Sequence, residues 1–133
     1  MPSLFFMALA DDLDPERVSK ALGLRPHTCW RKGEKQRFVS KSGRTHWFRS
    51  THKWGGWKFR FPSPMNERTL IRKVATIATN LSKRKTQLRA LVKSGHALYL
   101  VSLIQDTSSL IIPPELHDLL GSLGIHLQID FLP

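Results

Sequence analysis

Apolar and polar positions switch period along this chain, and the switches mark the elements. Ser3–Ala10 (SLFFMALA) is apolar at odd and even positions alike, which predicts a central strand buried on both faces. Asp14-Pro15-Glu16 then reads as a helix start, with a capping Asp, Pro at the first helical position and an acid in the first turn. That short helix carries Val18, Ala21 and Leu22, and Gly23 suits the left-handed position after its end. His27–Trp30 predicts a strand, and Arg31–Gln36 a polar loop. Arg37–Val39 and Thr45–Trp54 predict a hairpin around Lys41-Ser42-Gly43-Arg44. After a turn or bulge at Gly55-Gly56, Trp57, Phe59 and Phe61 alternate with Lys58 and Arg60, so the aromatics point inward and the bases outward.

The second half opens with the longest helical pattern, starting at Ser63-Pro64. Leu70, Val74, Ile77, Leu81, Leu88 and Leu91 recur at helical steps, with Arg68, Arg72, Lys83, Arg89 and Lys93 on the opposite side. Arg84 falls near the apolar stripe, which predicts either a snorkelling side chain or a bend near Asn80–Ser82. Ser94-Gly95 ends the helix, and Leu98–Ile104 is a second strand apolar on both faces. Asp106–Ser109 reads as a turn, and Pro113-Pro114-Glu115 starts a helix carrying Leu116, Leu119, Leu120 and Leu123, closed by Gly124. Ile125, Leu127, Ile129 and Phe131 alternate with His126, Gln128 and Asp130, giving a last strand with one wet face. This mixture predicts an α+β fold: a mostly antiparallel sheet with helices packed on one face, a ferredoxin-like core with additions, and one domain over residues 1–133.

Composition narrows the picture. A chain of 133 residues, 41% hydrophobic, affords one packed core. The longest apolar run is about eight residues, too short to span a bilayer, and no basic segment precedes it as in a secretory leader. The single cysteine, Cys29, excludes an internal disulfide framework and fits a reducing, cytoplasmic setting.

The short motifs, taken in order, resemble a known family. Asp12-Leu13-Asp14-Pro15, Leu22-Gly23-Leu24-x-Pro26, Trp30-x-Lys32-Gly33, Gly56-Trp57-x-Phe59 and the ending from Pro114-Glu115-Leu116 through Leu123-Gly124-Ile125 to Ile129-Asp130-Phe131 are similar to those of the bacterial domain family DUF4279. The resemblance runs through nearly the whole chain. It implies a compact α+β domain of bacterial or phage cytoplasm and no established reaction. Small domains of this kind sometimes serve as immunity or inhibitor proteins in toxin systems, an analogy at the level of the family. The heavily basic 31–60 segment departs from the family pattern.

Charge is the most informative feature. The formal net charge is +11, and it is concentrated in the middle of the chain. Residues 1–24 carry −2, residues 25–60 carry +10, residues 61–95 carry +7 and residues 96–133 carry −4. Such a field attracts anionic partners. Aromatics are interleaved with the bases at Trp30-Arg31-Lys32, Trp47-Phe48-Arg49, Lys53-Trp54 and Trp57-Lys58-Phe59-Arg60. Cations suit phosphate, and flat rings suit unstacked bases. The sequence has no RNP1-type motif, so it is not an RRM by signature.

Conventional catalytic chemistry has weaker support. His27 and Cys29 share a strand face with Arg25 and Arg31 nearby, but no third group orients them into a nucleophilic pair, and Asp12 completes the best enzymatic set without visible convergence. Asp11, Asp12, Asp14 and Glu16 cluster at the first strand–helix junction, where capping and the helix dipole account for acids. His46 and His52 have no CxxC, HExxH or acidic partners, and their cationic surroundings oppose a metal. Trp54-Gly55-Gly56-Trp57 lacks phosphate-loop spacing.

The expectation is therefore a non-catalytic binding module without cofactor, metal or membrane partner. Its partner would be an acidic macromolecule, foremost nucleic acid, with an acidic protein bound in inhibitor or immunity fashion as the alternative. The expected contacts are Arg31, Lys32, Lys35, Arg37, Arg44, Arg49, Lys53, Trp54, Lys58 and Arg60, joined by Arg68, Arg72, Lys83 and Arg89 from the helix.

Overall fold

A computed structural model describes residues 3–62, 66–105 and 110–132. The elements follow in the order β1 (Ser3–Ala10), α1 (Pro15–Leu22), β2 (Thr28–Trp30), β3 (Lys35–Val39), β4 (Thr45–Thr51), β5 (Gly55–Phe61), α2 (Glu67–Ser82), α3 (Lys85–Lys93), β6 (Ala97–Gln105), α4 (Pro114–Leu123) and β7 (Ile125–Leu132). The helix opening expected at Ser63-Pro64 and the turn at 106–109 lie outside the described residues.

Five strands form one sheet in the order β2-β5-β1-β6-β7. β5 pairs antiparallel with both β1 and β2, β6 pairs antiparallel with β1, and β7 adds parallel to β6. Without β7, this is the split β-α-β arrangement of a ferredoxin-like core. The additions are the separate two-stranded β3–β4 sheet, inserted between β2 and β5, and the α4–β7 unit at the end.

All four helices join one core with alternate residues of the sheet. Leu4, Phe6 and Ala8 of β1 and Leu98 and Leu100 of β6 are fully buried against Val18 of α1, Leu70 and Val74 of α2, Leu88 of α3 and Leu123 of α4. The inward reading of β5 holds: Trp57 is fully buried, and Phe59 and Phe61 pack on the core. The Trp57 indole N–H donates to Ser19 Oγ of α1 at 2.9 Å, so the one polar atom of this large side chain is satisfied.

Local signals explain the helix ends. The Asp14 carboxylate accepts from Glu16 N–H at 3.2 Å, and Gly23 closes α1 at φ 68°. The Asn66 carboxamide oxygen accepts from Thr69 N–H at 2.9 Å to cap α2. The single long helix expected over residues 64–93 is in fact two. Arg84, at φ −117° and ψ 28°, leaves the helical region between α2 and α3. Its guanidinium lies against Gly23 and donates to the Ala21 carbonyl at 3.4 Å, at the negative end of α1. The interruption expected near Asn80–Ser82 is thus present as a full break just after Ser82, and Arg84, rather than snorkelling, stands at it and ties α3 to α1.

A second correction concerns β1 and β6. They are central strands, but helices cover only one of their faces. Phe5, Met7, Leu9, Tyr99 and Leu103 are half-buried and lie outside the helix-packed core.

Candidate functional site

The hairpin strands differ from their expected limits, and the difference makes a distinct object. β3 and β4 pair only with each other, with Lys35 opposite Thr51, Arg37 opposite Trp47, and an irregularity between. Every residue of β4 is exposed. At the tip, Ser40 and Arg44 close a turn with Gly43 in the left-handed region at φ 82°. This β-ribbon is a sheet separate from the five-stranded one. Residues 31–54 carry eight bases and one acid. Trp47 is 62% exposed, Phe48 50% and Trp54 50%.

The ribbon is fastened at its root. The Trp30 ring lies over Gly56, stacks on His52 at 4.8 Å between centroids, and donates its indole N–H to the Trp54 carbonyl at 3.1 Å. Gly56 is required there, since a Cβ would overlap that ring. Arg31 donates to Asp14 Oδ1 at 3.2 Å, and Lys32 Nζ lies 2.9 Å from Asp11 Oδ1. The Asp11 carboxylate, first by hydrogen bonding and then by charge, raises the Lys32 ammonium above the usual lysine value. Both pairs are exposed, so their role is local positioning. The acidic cluster at the strand–helix junction therefore serves the cap of α1 and the base of the ribbon.

The expected contact residues fall into three groups. Lys35, Arg37, Arg44, Arg49, Lys53 and Trp54 lie on the ribbon or its end, exposed and without an ion pair among the described residues; Lys41 at the tip belongs with them. Arg31 and Lys32 are engaged at the root. Lys58 and Arg60 lie on the uncovered sheet face, Lys58 Nζ standing 4.1 Å from the Phe5 ring centre. Burial, and then the Arg60 charge, push the Lys58 ammonium down from the ordinary lysine value. Arg68, Arg72, Lys83 and Arg89 lie exposed on the helix layer, across the core from Lys58 and Arg60. The structure does not bring these four onto the sheet-face surface.

The weaker sites stay apart. His27 Nδ1 accepts from Arg60 N–H at 3.0 Å, and its ring packs edge-on against Phe59. Cys29 is exposed, and no hydrogen bond or ion pair joins His27, Cys29 and Asp12. Among the described residues no cluster of three or more His, Cys, Asp or Glu side chains is placed to hold a metal. No helix among them is long and apolar enough to cross a membrane.

The residues that sequence reasoning missed are Phe5, Met7 and Tyr99, hidden by the apparent two-sided burial of β1 and β6. One signal pointed to them: the three predicted helical segments, each with a single apolar stripe, can all be accommodated on one face.

A ferredoxin-like α+β core with a protruding basic and aromatic ribbon is thus the class that fold and surface define. The chain belongs to the family of the domain of unknown function DUF4279, whose profile matches residues 3–132. No curated protein and no solved structure matches it.

Proposed function

We propose that this protein is a non-catalytic binding module whose β3–β4 ribbon engages a polyanion, foremost nucleic acid. The observation that carries the reading is the ribbon itself: six bases without ion pairs among the described residues (Lys35, Arg37, Lys41, Arg44, Arg49 and Lys53) beside three large exposed aromatics. A solvated protrusion gains nothing in folding from exposed Trp47 and Phe48, whereas contact with a partner would bury them. The bases supply phosphate contacts, and the rigid root at Trp30 presents them in one orientation. The module would act in a reducing cytoplasm of bacterial or phage origin, where exposed Cys29 stays a thiol.

Fluorescence anisotropy with labelled oligonucleotides over a salt series tests this. Six phosphate contacts correspond to a log–log slope of about −4 for a single strand and about −5 for a duplex. Between about 50 and 200 mM salt, affinity would fall by a few hundredfold or more. Removing Arg37 and Arg44 together would make the slope shallower by about 1.5. A slope near zero, or no binding, overturns the proposal.

An acidic protein partner is the second reading, favoured by Arg37 standing directly opposite exposed Trp47, both residue types that dominate protein interfaces. Under it, Trp47→Ala alone would nearly abolish binding. Under the first reading, binding decays gradually as bases are removed.

A further inference from the structure

The uncovered face of the main sheet has a layout that the ribbon alone does not explain. Strand register sets it out in rows. Met7 lies opposite Lys58 on one side and Tyr99 on the other; Phe5 lies opposite Arg60 and Val101. One margin of the face is therefore cationic, and its middle is apolar with two aromatic rings. Phe5 and Tyr99 are diagonal neighbours on adjacent strands, about 7–8 Å apart by sheet geometry. That spacing lets two successive unstacked bases take one ring each.

We propose, building on the nucleic-acid reading above, that the partner is single-stranded and that this sheet face holds its bases, with Phe5 and Tyr99 as stacking platforms and Lys58 and Arg60 at the phosphates. Three observations select this occupant. Lys58 and Arg60 are adjacent cations of like charge on β5, with no ion pair among the described residues, which complements a phosphate backbone. The face is continuous with the ribbon, because the Trp30 ring lies on it over Gly56 while stacking on ribbon residue His52. Phe5, Met7 and Tyr99 are half-buried around a buried Val101, the Tyr99 ring already stacks on His126 of β7 at 5.1 Å between centroids, and a duplex keeps its base faces stacked out of reach of such a surface. The ribbon would gather the strand by charge, and the sheet face would select for unstacked bases.

The test compares a labelled single-stranded oligonucleotide with its duplex, using the full chain and the variants Tyr99→Leu, Phe5→Leu, Tyr99→Phe and Arg37→Ala/Arg44→Ala. Tyr99→Leu should weaken single-strand binding roughly tenfold and duplex binding less than about twofold, and Tyr99→Phe should retain wild-type affinity. Photocrosslinking of the unmutated protein to a strand containing 5-iodouracil should label peptides of β1 or β6. If Tyr99→Leu and Phe5→Leu bind both oligonucleotides as the wild type does, and crosslinks stay within residues 31–54, the sheet-face proposal is overturned while the ribbon reading stands. If neither oligonucleotide shows salt-dependent binding, both fall.

Discussion

Gly56→Ala tests how the ribbon is held. A Cβ at this position would lie 2.6 Å from Trp30 Cη2 and closer still to Cζ2 and Cε2, whereas ordinary contact begins near 3.4 Å. The ring must retreat by about 1 Å or more. It cannot do so freely, because the indole N–H is bonded to the Trp54 carbonyl and the ring is stacked on His52. The hydrogen bond contributes about 0.5–1.5 kcal/mol and the stack a similar amount, so the root should lose roughly 1–3 kcal/mol. Most of that loss should be local, since Trp30 lies on the uncovered face and outside the helix-packed core. Hydrogen–deuterium exchange should therefore show faster exchange at Gly33 and His52, whose amides donate across the ribbon base, while Leu98 and Leu100 in β6 keep their protection. A double-mutant cycle sharpens the test. In a Trp30→Ala background the three atoms nearest the added methyl are gone, so Gly56→Ala should then cost much less. Equal costs in both backgrounds, or unchanged exchange at the ribbon base, would refute the proposed fastening.

Three further outcomes are expected. Trp57→Phe removes the bond to Ser19 and leaves a void in the core, and should lower stability by about 1–3 kcal/mol, read as a shifted urea midpoint at constant slope; a loss below about 0.5 kcal/mol would contradict the packing described. Gly23→Ala forces a side chain to φ 68° and onto the Arg84 guanidinium, and should cost at least about 1–2 kcal/mol in thermal denaturation. His96 is buried, its Nδ1 lies 3.1 Å from the Leu91 carbonyl and its Nε2 has no partner among the described residues; burial first, with the Arg17 charge assisting, holds its pKa below the ordinary 6.5. The folded state then binds fewer protons than the unfolded one, so stability is complete above about 6.5 and falls as the pH drops towards the lower folded-state value. Melting curves at about pH 7.5 and pH 5 should separate less in His96→Gln than in the wild type, and identical separations would exclude His96 as a contributor.

Much of the fold was legible because local rules and tertiary packing agree. Asp14-Pro15 and Gly23 bracket α1 as capping chemistry requires, and Trp57, Phe59 and Phe61 turn inward as their alternation with Lys58 and Arg60 demands. The long helix misled because the apolar spacing from Leu81 to Leu88 is seven residues, two helical turns, which a continuous helix and a broken one satisfy equally. What breaks it is Arg84 reaching the end of α1, a contact spanning 63 residues of sequence. The candidate site was half legible. The bases and aromatics of residues 31–54 announced themselves by composition, but that Arg31 and Lys32 turn back to Asp14 and Asp11 depends on how the ribbon is hinged to the sheet.

By itself, the sequence determined which residues alternate, where α1 and α4 begin and end, and that the charge lies in the middle of the chain. These follow from side-chain chemistry acting over a few neighbours. Only the tertiary structure decided which face of β1 and β6 the helices cover, leaving Phe5, Met7 and Tyr99 outside the helix-packed core, and that Arg68, Arg72, Lys83 and Arg89 stand across the core from Lys58 and Arg60. Hydrophobicity specifies that a strand face is to be covered, but strand order and crossover direction decide which face receives the helices.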